Sequence, residues 1–177
     1  MDIQAYLLAS VMFLVPFGWL GGTLGKTKML LYGTIFFAIT TFLCAFVTSS
    51  LMLISVRFVQ GIVSAMMSST LMALVISAFP PEQRGKVIGL NVSAVYIGSS
   101  LTSMIGGFIT DALNWRSLFV INATVSTLIA ILILGKLNKE LCETVKEKFD
   151  FKGTVLYMIS ISVLIYGCSK LPDHIFL

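Results

Sequence analysis

Twelve basic and eight acidic side chains are gathered into so few places that six long stretches of the chain hold no charge at all: 3–25, 29–56, 58–81, 87–110, 117–135 and 153–169. A helix crossing the roughly 30 Å hydrocarbon core of a bilayer needs about 20 apolar residues, within a range of about 17–25. Each stretch fits that length. Transmembrane strands would need only about 9–11 residues with a period of two, and these continuous runs show no such period. Hydrophobic residues make up 57% of the 177 and charged ones 11%, against about 25% charged in an ordinary soluble domain. The expectation is an all-α integral membrane protein with six transmembrane helices. The first run has nothing basic before it, only Asp2, and is longer than the apolar core of a cleaved signal, so it reads as a span.

The basic residues orient these spans. Lys26 and Lys28 follow the first run, Arg84 and Lys86 the third, and Lys136, Lys139, Lys146, Lys148 and Lys152 the fifth. That places nine basic residues on one side against Arg116 and Lys170 on the other, which makes the first side cytoplasmic and puts Met1 outside. The segment 136–152 alternates basic residues with Glu140, Glu143, Glu147 and Asp150, as a solvated amphipathic connector does. The expected organisation is a five-span bundle over 1–135, this connector, and a further span with its external end over 153–177.

Two spans carry unusual chemistry. Arg57 lies about 9 Å inside the third, where a charged side chain costs about 2.5–3.5 kcal/mol and marks a functional site by default. Four-residue steps from it reach Gly61, Ala65 and Ser69, with Gln60, Ser64 and Ser68 alongside. The competing reading is an arginine that snorkels to the headgroups. On the fourth span Ala94, Gly98, Thr102, Gly106 and Thr110 form one small-residue ridge, and Ser99, Ser103 and Gly107 form a second beside it. Small residues every fourth position let helix backbones approach in lipid. The ridges suit a tightly packed helix, or one against which neighbours slide.

Taken together these residues resemble the major facilitator superfamily, in particular its fourteen-span drug:proton antiporter branch of multidrug exporters. Arg57-Phe58-Val59-Gln60-Gly61 resembles the family's RxxxG signature. Gly89, Gly98, Thr102, Ser103, Gly106 and Gly107 stand at the spacing of the antiporter motif. Gly18, Leu20, Gly25, Lys26 and Lys28 match the cytoplasmic loop signature, and the stretches 79–90 and 114–123 look like the flanking segments. By this match the six runs correspond to helices two to seven of a longer transporter. Two departures stand out: Gly22 and Thr23 occupy the loop's usual Asp and Arg places, and Thr102-Ser103 replaces Gly-Pro. The five residues 107–111 echo 18–22 at a span end, where inverted repeats of such transporters fall. Asp111 is then either an external counterpart of the missing loop acid or a loop charge pairing with Arg116.

The resemblance implies membrane transport by alternating access, as part of a proton-coupled exporter in the cell membrane. Arg57, Gln60 and Gly61 would serve proton coupling or gating. Gly98, Gly106 and Gly107 would form a moving interface, and Gly18, Gly25, Lys26 and Lys28 the cytoplasmic turn. The implied partners are the lipid bilayer, a small-molecule substrate (cationic drugs included), protons, and the rest of a transporter or a second copy. Alone, the chain is expected not to transport. No nucleophile–base pair, metal cluster or phosphate loop points to an enzyme or a cofactor, and no basic run points to nucleic acid. A non-transporting remnant and a membrane scaffold remain as alternatives.

Overall fold

The computed structural model describes the backbone of residues 2–112, 114–136 and 150–175, all of whose regular structure is α-helical. The elements are α1 (Asp2–Met12), α2 (Leu14–Leu24), α3 (Lys26–Ala45), α4 (Ser50–Ala78), α5 (Pro81–Ala112), α6 (Trp115–Lys136) and α7 (Phe151–Ile175). Four of these, α3 to α6, are long and apolar enough to cross a membrane, and α1 with α2 makes a fifth span bent by 46°. The sixth charge-free run, 153–169, falls on α7. The connector expected between α6 and α7 lies outside the described residues.

The bend in the first run has a local cause. Pro16 has no N–H for the carbonyl four residues back, and its ring crowds that carbonyl. The neighbouring rungs survive, with Phe13 N–H donating to Ala9 O and Phe17 N–H to Phe13 O, each at 3.1 Å. The helix therefore turns without coming apart. Gly25 then makes the tight reversal into α3 at φ 101° and ψ 125°, a left-handed φ that glycine alone adopts cheaply. At the far end of α4, Phe79 stands extended at φ −122° and ψ 144°, as the residue before a proline must. Pro81 opens α5, where its missing N–H costs nothing.

Helix α3 sits between α4 and α6, α1 and α2 pack on α4, and α7 lies against α1. The apolar core joins Leu30, Leu74 and Ile133 from α3, α4 and α6, with Leu31 and Met67 against it. Two hydrogen bonds mark opposite ends of the bundle. Lys26 Nζ donates to Ser77 Oγ at 3.0 Å, and Arg116 Nη2 donates to the carbonyl of Val47 at 3.0 Å. Arg116 also lies over the Trp115 ring, 4.6 Å from its centroid, so its contacts run to the loop after α3 and to its own helix rather than to Asp111. Outward faces carry Phe36, Phe42, Phe46, Leu51 and Leu128 exposed, a surface made for lipid and not for water.

Candidate functional site

Arg57 sits seven residues into α4, about 10 Å from its start at 1.5 Å per residue. Its side chain is partly buried and engages groups of the bundle. Its Nη1 donates to Gln60 Oε1 at 3.0 Å, one turn along the same helix. Gln60 is 2% exposed, and its Nε2 donates in turn to Thr41 Oγ1 of α3 at 2.7 Å. The guanidinium lies over the Phe119 ring of α6, 4.9 Å from its centroid, a contact worth about 0.5–2 kcal/mol depending on how dry it is. One charged side chain thus ties three helices together. Its Nε is enclosed and has no hydrogen-bond partner among the described residues, and a buried donor left unmet costs about 1–3 kcal/mol.

Gly61, next along the stripe, explains why α1 is there at all. A methyl at this position would overlap the carbonyl oxygen of Tyr6 and come within 2.8 Å of Ala9 Cβ. Backbone-to-backbone approach places Tyr6 so that its hydroxyl donates to Ser64 Oγ at 2.8 Å. Ala65, another step along, is 1% exposed. Arg57 and Gln60 are thus joined by a hydrogen bond, and Gly61, next along α4, makes the close approach to α1.

Beside this assembly lies a cavity of about 460 Å³, whose walls include Tyr6, Phe37, Arg57, Gln60, Phe119 and Asn122, with Trp115 at its side. A second cavity, of about 440 Å³, lies between α3 and α6 and is lined by apolar side chains such as Ile39, Phe42 and Leu128 with only Thr124 and Thr127 polar. That one suits an acyl chain and holds no charge.

The remaining sequence-predicted residues lie elsewhere. Gly18 and Leu20 do not form the cytoplasmic turn; they are helical residues of α2. The paired Gly21-Gly22 fails to break the helix because Gly21 is packed, and a methyl there would lie 2.7 Å from Thr70 Cγ2. The turn is Gly25 alone, with Lys26 and Lys28 in the first turn of α3. On α5, Gly89, Gly98 and Gly107 have open space where a side chain would be, and Gly106 faces Leu118 Cδ2 at 4.0 Å. Thr102 and Ser103 are exposed there too. Apart from this approach of Gly106 to α6, the residues of the α5 ridges are exposed. Their hydroxyls are satisfied locally: Ser99 donates to Tyr96 O at 2.9 Å, Ser103 to Ser99 O at 3.0 Å and Thr110 to Gly106 O at 2.7 Å.

Sequence reasoning missed three residues of this assembly: Phe119, which lies under Arg57, Thr41, which accepts from Gln60, and Tyr6, which donates to Ser64. Each lies on another helix, and helix pairing is invisible in periodicity. The available signals were weak: Thr41 is a polar residue within an apolar run, and Phe119 lies inside the family-like stretch 114–123.

Comparison with known proteins bears on this arrangement. The model of the Major Facilitator Superfamily matches residues 3–166. The chain is 29% identical over 168 residues to the riboflavin transporter RibZ of Clostridioides difficile, covering 95% of this chain and 37% of that protein. It is 30% identical over 163 residues to multidrug resistance protein 3 of Bacillus subtilis, covering 92% and 32% respectively. To the multidrug export protein EmrB of Escherichia coli it is 28% identical over 162 residues, again covering 92% and 32%. The chain spans about a third of the length of these relatives. With a helical membrane architecture and a family match over most of its length, the chain belongs to the Major Facilitator Superfamily.

Proposed function

We propose that the chain carries part of the pathway of a proton-coupled small-molecule exporter, and that the Arg57–Gln60–Thr41 network is its gating element. The observation that supports this is a guanidinium about 10 Å deep in α4, held by one partner on its own helix and one ring on α6. Its part is to set the field felt by whatever titrates nearby and to hold α3, α4 and α6 in one of two registers. Alternating access needs such a reversible clasp between helices that rock. The relatives, a riboflavin transporter and multidrug export proteins among them, support a small-molecule cargo.

The test is Arg57→Ala in a full-length transporter context, reconstituted in vesicles with a pH gradient. The variant is expected to insert and accumulate like the parent, because removing an intramembrane charge lowers the insertion cost by about 2.5–3.5 kcal/mol. Gradient-driven transport is expected to collapse. Transport at the parental rate would reduce Arg57 to a structural contact.

A further inference from the structure

We propose that the cavity beside Arg57 binds a planar aromatic acid, a flat ring system bearing a carboxylate, and binds it in preference to a cation. This rests on the reading of the Arg57 assembly as part of a transport pathway. It replaces the cationic cargo that family resemblance implies with one argued from the lining itself.

Charge decides the sign. Arg57 is the one charged side chain among the described residues that line the cavity, and no carboxylate lines it. A cation entering there meets a like charge with no counter-charge beside it. Hydrogen-bond accounting points the same way. A guanidinium offers five N–H donors in a fixed fork that matches a carboxylate. Among the described residues only Nη1 has an acceptor, Gln60 Oε1, and Nε has none. The amide nitrogen of Gln60 is itself a donor, engaged with Thr41, and accepts nothing from the guanidinium.

Shape decides the ring. Phe37, Phe119 and Trp115 supply aromatic wall, and Phe119 already lies flat enough under the guanidinium to place its centroid 4.9 Å away. A ligand ring stacking or meeting these edges would carry its carboxylate to the same guanidinium. Asn122 and the Tyr6 hydroxyl, both at the cavity wall, add neutral polar groups that orient a second substituent. About 460 Å³ falls within the roughly 300–1,000 Å³ of small-molecule sites and suits two or three fused rings.

Three versions of one fluorophore test it: 7-methoxycoumarin-3-carboxylate, its neutral methylamide, and its cationic trimethylammonioethyl amide. Each is titrated against the 177-residue chain in lipid nanodiscs, and energy transfer from tryptophan to coumarin is read. Trp115→Phe is expected to remove most of that transfer, which assigns the signal to this cavity rather than to dye dissolved in lipid. The acid is expected to bind at least about tenfold tighter than the amide, and the cation more weakly still. Arg57→Gln is expected to erase the acid's advantage, while Arg57→Lys keeps the order of the three with a smaller spread. Folding of each variant is checked by gel filtration and helical circular dichroism. A cation binding as tightly as the acid overturns the proposal, as does Arg57→Gln leaving the acid's affinity unchanged in folded protein. Energy transfer that survives Trp115→Phe in full overturns the location. The gating role fails separately: an acid preference lost in Arg57→Gln, together with parental gradient-driven transport by Arg57→Ala, keeps the site and discards the gate.

Discussion

Gly61 sets the distance between two helices by what it lacks. Its backbone lies so close to Tyr6 and Ala9 that an added methyl would overlap the Tyr6 carbonyl. Valine there must push α1 away from α4, at about 1–3 kcal/mol for forced overpacking, and would also stretch the 2.8 Å bond from Tyr6 to Ser64. Gly61→Val is therefore expected to lower the thermal unfolding midpoint of the chain in detergent and to give less protein on purification. An unchanged midpoint would mean that α1 does not hold to α4 through this contact. The same residue shows how far a sequence can be read. Arg57, Gln60 and Gly61 were legible because a charge, an amide and a glycine at helical spacing inside an apolar run have few innocent explanations. Thr41 and Phe119 were not legible, since what makes them matter is the crossing of α3 and α6 over α4, which no local pattern encodes.

Helix α5 makes the opposite case at the scale of an element. Its small residues were read as packing ridges, and the surface is indeed smooth, yet no residue of α5 is buried. The polar side chains tolerate this because Ser99, Ser103 and Thr110 return their hydroxyl protons to carbonyls of their own helix, the bonding that serine and threonine can make without outside help. The ridges thus remain available to another helix surface, from the rest of a transporter or a second copy. Gly98 has nothing within 4 Å of an added methyl, so Gly98→Val is expected to leave the melting of the 177-residue chain unchanged. In a full-length transporter the same substitution is expected to reduce transport, since a smooth ridge would become a stepped one at a packing face. If Gly98→Val destabilises the 177-residue chain as Gly61→Val does, α5 is packed by its own copy or by neighbouring helices. The turn after α2 differs from the sequence expectation for a related reason: Gly18 stays helical, Gly21 is crowded by Thr70, and the chain reverses where Gly25 takes a positive φ. The bend between α1 and α2 had its signal in Pro16, whose helix-breaking chemistry is visible in sequence while the resulting angle is not.

For the molecule as a whole, the hydrogen bonds at its two ends and its basic residues make one joint statement about sidedness. The Lys26–Ser77 bond fastens the start of α3 to the end of α4, and Arg84 caps the same region by donating to the carbonyl of Phe79 at 3.2 Å. At the other end Arg116 reaches the carbonyl of Val47, across the loop that contains Thr48 and Ser49. The bundle therefore has a basic end, with Lys26, Lys28, Arg84 and Lys86 gathered there, and an end whose basic contact is Arg116. Positive charge in short loops stays on the cytoplasmic side during insertion, so the expected orientation puts the Arg57 cavity toward the outer half of the membrane and the Leu30–Leu74–Ile133 core toward the inner half. Single-cysteine variants at positions 49 and 84, in a background free of the native cysteines, check this with an impermeant thiol reagent. Position 49 is expected to label in intact cells, and position 84 only after the membrane is opened. Strong labelling of position 84 in intact cells would invert the protein. The Arg57 cavity would then lie toward the cytoplasm, and an acidic ligand would reach it from inside the cell.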